Sequence, residues 1–118
     1  MRTTYLNTLP EHWQPVAAVF AAMGDTTRQR ILLLFEPGEE LSIKDIAAEF
    51  DFGRSTIVHH LAVLEKAGIL SVRREGRQAL YSVCHNIVLD SLEKLRLFIE
   101  DDTQVTTPLP QIAKGTNP

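Results

Sequence analysis

The sequence predicts a mainly α-helical domain with a small β-hairpin, in the order α-α-α-α-β-β-α. Apolar residues recur at helical spacing in five segments, and over residues 70–83 the period changes from 3.6 to 2. The third and fourth helical segments are separated only by the turn 51–53. A short helix, a tight turn, a longer helix and a following hairpin make a winged helix-turn-helix. A chain of 118 residues has room for one such domain with a single core.

The first two helices precede the turn. Residues 10–23 have helical periodicity, and Pro15 either lies in the first turn, where its missing N–H costs nothing, or makes the helix begin later than Pro10. Asp25 is a suitable N-cap for the second helix, and Pro37-Gly38 ends it. The apolar residues of this second helix are Ile31, Leu32 and Phe35.

The third and fourth helices form the predicted helix-turn-helix. Ser42 with Asp45 resembles a capping box in which Asp replaces the usual Glu, and this helix is predicted to end near Asp51. The fourth helix is predicted from about Arg54 to Ala67, with Gly68 as a left-handed C-cap. The apolar residues predicted to face inward are Ile43, Ile46, Ala47 and Phe50, then Ile57, Leu61 and Leu64.

The hairpin is predicted as strands Leu70–Glu75 and Gln78–Val83 around a tight Gly76-Arg77 turn. The last helix is predicted over Asn86–Asp101. The expected organisation is a flexible arm over residues 1–9, one domain over 10–101 and a polar, proline-containing disordered tail over 102–118.

Composition limits the class of protein. The single cysteine, Cys84, cannot form an internal disulfide, which favours a reducing compartment. No run of 18 apolar residues and no apolar signal segment after Met1 are present, so we expect a cytoplasmic protein with no membrane partner. No nucleophile elbow, glycine-rich phosphate loop or paired-carboxylate motif is present, which argues against an enzyme.

The net charge of −3 is unevenly distributed. Between Arg54 and Gln78 there are five basic and two acidic residues, whereas acidic residues concentrate over 36–51 and 100–102. One locally basic region therefore lies on an otherwise acidic protein, and it coincides with the fourth helix and the hairpin.

Five segments in register carry a resemblance to a known family. The segment Met23–Leu32 resembles the Leu-Gly-Asp-Pro-Thr-Arg-x-x-Ile-Leu stretch of ArsR-type repressors. The other matching segments are Leu41–Ala47, Ser55–Leu61, Leu64–Leu70 and Arg74–Arg77 followed by Tyr81. The resemblance covers roughly residues 20–98. It implies a winged-helix homodimer that joins through its first and last helices and reads an inverted-repeat operator in double-stranded DNA with its fourth helix.

Candidate DNA contacts lie opposite the inward stripe of the fourth helix and in the hairpin. Side chains at the start of such a helix reach base edges, and Arg54 suits a bidentate contact to guanine. Hairpin arginines suit backbone contacts. The candidates are Arg54, Ser55, Thr56, Val58, His59, Arg73, Arg74 and Arg77. Val58 stands where the family often has Ser, and Ala62 where it often has a basic residue, so this face is less basic than usual.

The terminal helices are the candidate dimer interface. The last helix is apolar over more than a narrow stripe, and a chain of this size cannot bury two amphipathic terminal helices alone. The alternative is that the same stripe only packs in the core. The candidate interface residues are Trp13, Val16, Phe20, Val88, Leu92, Leu95 and Ile99.

No metal or other cofactor is expected. One metal site of the family, a Cys-x-Cys pair, has no counterpart in residues 41–45. Another family site uses histidine on the last helix, but here that helix has Asp90, Glu93 and Glu100 and no histidine after His85. His59 and His60 point about 100° apart and cannot chelate one ion, so His60 is read as a packing residue. The remaining weak metal candidates, which would have to converge across a dimer, are His12, Cys84 and His85. Cys84 alone suits burial or a redox role.

The function expected from these observations is that of a sequence-specific transcriptional regulator. It would be a homodimeric repressor released by an unknown signal, without the metal sites usual in the family. The alternative is a protein-interaction module on the same scaffold with weakened DNA binding, which Val58, Ala62 and the negative net charge favour.

Overall fold

The computed structural model describes residues 1–103 and has the predicted winged helix-turn-helix architecture. After a 3-10 turn at Glu11–Trp13, the elements are α1 Gln14–Met23, α2 Thr26–Leu34, β1 Leu41–Ser42, α3 Ile43–Ala47, α4 Arg54–Lys66, β2 Leu70–Glu75, β3 Gln78–Val83 and α5 His85–Thr103. Of the predicted disordered tail, residues 102 and 103 continue α5, and residues 104–118 lie outside the described part.

Local signals set most of the helix ends. Helix α1 begins at Gln14, so Pro15 occupies its first turn. Asp25 caps α2 by accepting a hydrogen bond from the backbone N–H of Arg28 at 3.1 Å. Helix α4 ends in a Schellman motif, in which Gly68 adopts φ 83° and the N–H of Ile69 donates to the carbonyl of Leu64 at 3.0 Å.

The structure corrects three details of the prediction. A short strand, β1, precedes α3 and had no sequence signal. Helix α3 ends at Ala47 rather than near Asp51, so Phe50 lies in the turn, where its ring stacks on that of Phe52. Phe35 lies just beyond α2 in an extended conformation (φ −76°, ψ 127°).

The three strands form an antiparallel sheet in the order β1-β3-β2. Tyr81 of β3 is the register partner of both Leu41 and Val72, so β3 joins the wing to the start of α3. The core lies between the helices and one face of this sheet. Its fully buried side chains include Ile31, Ile46, Ile57, Leu61, Leu64 and Ile69.

The start of α3 is fixed by a complete capping box. Ser42 Oγ accepts from the N–H of Asp45 at 3.1 Å, and Asp45 Oδ2 accepts from the N–H of Ser42 at 3.0 Å. These hydrogen bonds hold the pKa of Asp45 below its ordinary value. The short helix α3 is therefore ordered by its first turn as well as by the burial of Ile46.

Replacing Ser42 with Ala is expected to lower the free energy of unfolding by about 1 kcal/mol, since the cap loses its side-chain acceptor. Urea denaturation measures the change. Ser71→Ala is the matched control, because the Ser71 hydroxyl lies on the exposed face of the wing and only meets the Ser82 hydroxyl. Equal losses from the two substitutions would contradict a specific role for the cap.

Within residues 1–103, no helix is both long and apolar enough to cross a membrane.

Candidate nucleic-acid interface

A concave surface of about 510 Å³ lies between α3, α4 and the wing. Its basic lining residues are Lys44, Arg54, Arg74 and Arg77, and Val58 also lines it. No acidic side chain belongs to this lining among the described residues. Four cations from three elements thus share one surface, which suits a polyanion.

The predicted reading face of α4 points to solvent. Arg54, Ser55, Thr56 and His59 are exposed, and Val58 is 40% exposed. The opposite face of α4 carries Ile57, Leu61 and Leu64 into the core. Gly53, the N-cap of α4, has no side chain to cap the first turn, so that turn can approach a phosphate closely.

The wing arginines differ from one another. Arg74 and Arg77 line the concave surface. Arg73 instead forms a bidentate pair with Glu40, at 2.6 and 2.8 Å, and also bonds Glu75 at 3.1 Å. The guanidinium of Arg73 holds the pKa of Glu40 below its ordinary value, so the pair stays ionised at neutral pH. Of the three predicted wing contacts, Arg73 has its charge already neutralised.

Replacing Glu40 with Gln is expected to raise the affinity for any DNA duplex about two- to fivefold at low salt, because Arg73 loses its bidentate partner and keeps only Glu75, so more of its charge is available to phosphates. The slope of log affinity against log salt should steepen by up to about 0.9. Both are measured by fluorescence anisotropy on random-sequence duplexes.

Glu39→Gln is the control, since it changes the net charge equally but Glu39 bonds the N–H of Glu36 rather than an arginine. The same gain from both substitutions would show that only net charge matters.

Sequence reasoning missed two residues here: Lys44, which lines the concave surface, and Glu40, which pairs with Arg73 outside that lining. Lys44 belongs to the surface because the capping box at Ser42 sets the rotation of α3 and leaves Lys44 exposed. Lys44 could have been predicted, because the first helix of a helix-turn-helix, here α3, crosses the DNA backbone. Glu40 lies 33 positions from Arg73, and no local pattern links them.

The predicted interface residues lie on α1 and α5, which pack against each other, except Trp13, which ends the 3-10 turn before α1. Val16 is 1% exposed and already buried within the protomer, whereas Leu92 is 48% exposed and Ile99 is also exposed. Trp13 meets Phe98 edge to face, with centroids 5.0 Å apart. The other three predicted residues, Phe20, Val88 and Leu95, are half-buried.

The weak metal candidates do not meet within one protomer. His12 lies beside Phe98 and Asp101 near the end of α5, whereas Cys84 and His85 lie at its beginning. Three acidic residues of α5 form ion pairs along the helix: Asp90 with Lys94, and Glu93 and Glu100 with Arg96. No cluster of three potential ligands from His, Cys, Asp and Glu occurs among residues 1–103.

The two adjacent histidines of α4 have different surroundings. His59 is exposed on the predicted reading face. His60 is half-buried, and its Nδ1 lies 3.3 Å from the guanidinium of Arg28 on α2. His60, predicted to be a packing residue, thus also has a specific polar partner inside the protein.

A helix-turn-helix with a basic concave surface beneath its wing defines a class, the winged helix-turn-helix transcriptional regulators. Residues 25–72 match the sequence model of the bacterial regulatory proteins of the arsR family. The chain is 36% identical over 81 residues to the transcriptional repressor SdpR of Bacillus subtilis, covering 69% of this chain and 89% of that protein. It is 34% identical over 83 residues to the HTH-type transcriptional regulator MJ1325 of Methanocaldococcus jannaschii, covering 70% and 93%.

Similar solved structures indicate the same class of protein. An ArsR-like transcriptional regulator from Rhodococcus sp. RHA1 superposes with a TM-score of 0.69 at 26% identity, covering 80% of this chain and 90% of that one. The chain therefore belongs to the arsR family. The expectation of a transcriptional regulator rather than an enzyme is confirmed by these relatives.

Proposed function

We propose that the protein is a sequence-specific repressor that binds double-stranded DNA as a homodimer, with residues 10–101 as its DNA-binding and dimerisation domain. The observation that carries the proposal is the concave surface lined by Lys44, Arg54, Arg74 and Arg77. Cations that neutralise phosphates supply most of the affinity of a DNA-binding protein. Their position on both sides of α4 fits a helix that lies in the major groove while the wing follows the backbone.

The contacts divide into two kinds. We infer that Arg54 and Val58, in the first half of α4, contact base edges: a guanidinium suits guanine and an apolar group suits a thymine methyl. Lys44, Arg74 and Arg77 line the same surface, and we infer that they contact phosphates. With Arg73 held by Glu40, the wing contributes two free cations rather than three.

The dimer is supported by the outer face of α5. Leu89, Leu92 and Ile99 are exposed there, and apolar side chains that stay exposed along one helix face mark an interaction surface. A twofold dimer through α1 and α5 would present two copies of α4, so we infer an inverted-repeat operator.

We infer that the signal that releases the protein from DNA is not a metal bound at either of the two family metal sites, the Cys-x-Cys site or the site on the last helix. Residues 41–45 have no thiolate, and three carboxylates of α5, those of Asp90, Glu93 and Glu100, are paired with Lys94 and Arg96. A regulator of this kind acts in the cytoplasm, where its operators are.

The test is selection of bound fragments from sheared genomic DNA by purified protein, followed by gel shifts on the enriched sequences. We expect one imperfect palindrome, a saturable shift and a steep fall in affinity with salt. Failure to enrich any fragment at low salt, with a protein partner recovered instead, would favour the alternative of an interaction module with weakened DNA binding.

A further inference from the structure

Arg28 links three helices through one guanidinium. Its side chain is only 14% exposed. Nε donates to the carbonyl of Ala22 at 2.7 Å and Nη2 to that of Ala21 at 3.3 Å, in the last turn of α1. Nη1 lies 3.3 Å from Nδ1 of His60 on α4. The end of the proposed dimerisation helix is thus joined through α2 to the proposed DNA-reading helix.

The chemistry of this contact depends on the protonation of His60. Arginine is always charged and has only donors, so it can bond Nδ1 only while that nitrogen carries no proton. The neutral ring must therefore hold its proton on Nε2. A protonated ring donates from both nitrogens, and two cations would then face each other.

Two other titratable groups face His60. Asp25 Oδ2 is 3.9 Å from Nη1 of Arg28, while its Oδ1 caps α2. The ring of His59, on α4 itself, lies with its centroid 5.7 Å from that of His60. Asp25 offsets part of the repulsion between the two cations, but it does not restore the acceptor that Arg28 loses.

His60 is well placed to influence DNA reading, because its neighbours Val58 and His59 lie on the exposed face of α4. We propose that Arg28 and neutral His60 are positioning residues, which hold α4 in its reading orientation against α1, and that protonation of His60 releases this hold. The inference rests on the proposed DNA-binding function and adds a pH-sensitive control to it.

Two substitutions of His60 distinguish the effect of losing the hydrogen-bond acceptor for Arg28 from the effect of protonating the ring. His60→Asn places Oδ1 where Nδ1 was and does not titrate, whereas His60→Leu keeps an apolar side chain and has no acceptor. Operator affinity is measured for both and for the unaltered protein at about pH 8 and about pH 5.5, which span the range in which histidine changes charge. His12→Asn, beside Trp13 in the 3-10 turn, controls for the loss of a histidine outside α4.

We expect the unaltered protein and His12→Asn to lose about tenfold in affinity at the lower pH. His60→Asn should show no such loss, and His60→Leu should bind about tenfold more weakly at both pH values. An equal loss for His60→Asn, or full affinity of His60→Leu at the higher pH, would overturn the proposal.

A second measurement needs no DNA. Nitrogen-15 NMR of the free protein at about pH 8 should show the neutral His60 ring protonated on Nε2. Protonation on Nδ1 would overturn the inference even if DNA binding is found. Absence of DNA binding at either pH, with the Nε2 proton observed, would instead refute the proposed function and leave the Arg28–His60 link as a structural contact only.

Discussion

Replacing Leu92 with Glu is expected to convert the proposed dimer into a monomer and to lower operator affinity at least about 100-fold. Leu92 is 48% exposed on the protomer, so the substitution leaves the core intact. In the dimer the same position would be buried, and an unpaired carboxylate is strongly unfavourable there. A monomer reaches each half-site separately and loses the gain from binding two half-sites at once.

Analytical ultracentrifugation and gel shifts on the same samples measure the two effects, and circular dichroism shows whether the fold is kept. Leu97→Glu is the matched companion, since Leu97 is 50% exposed on the same helix but lies about 140° around its axis from Leu92. A monomer from Leu97→Glu and a dimer from Leu92→Glu would move the interface to the other side of α5. An unchanged dimer from both would contradict an interface on α5.

The features predicted correctly from sequence are those whose partners are close along the chain. The Asp25 cap, the Ser42–Asp45 capping box and the Gly68 C-cap all act within five residues. The turn at Gly76 has φ 61°, which glycine adopts easily, and both strands of the hairpin have the predicted bounds.

The features that were missed depend on distant partners. Strand β1 has two residues, and its partners Leu80 and Tyr81 lie about forty positions away. The predicted third helix ran too far because Phe50 continues the helical spacing. In the structure Phe50 instead stacks on Phe52, with centroids 5.6 Å apart, and Arg30 lies 5.2 Å above its ring.

The same distinction applies to the candidate site. Arg73 and Arg74 are adjacent and alike in sequence, but successive residues of a strand point to opposite faces of the sheet. Arg74 therefore reaches the concave surface while Arg73 meets Glu40. Which of two neighbouring cations is free for DNA is decided by tertiary pairing, and composition alone cannot show it.

Replacing Arg54 with Ala is expected to lower affinity for the selected operator about 10- to 100-fold, while affinity for random-sequence DNA changes less than about threefold. The reason is that Arg54, at the first position of α4, is proposed to contact a base edge, and a lost bidentate contact removes discrimination. Competition binding with operator and random duplexes measures the ratio of the two affinities.

Arg77→Ala provides the contrast within the same surface. Arg77 follows Gly76 at the tip of the wing and is proposed to contact a phosphate, so its loss should weaken operator and random DNA by the same factor. It should also lower the salt slope by about 0.9, whereas Arg54→Ala should change the ratio of affinities instead. If Arg77→Ala changed the operator preference and Arg54→Ala weakened all sequences alike, the two roles would have to be exchanged. The wing rather than the start of α4 would then be the element that reads sequence.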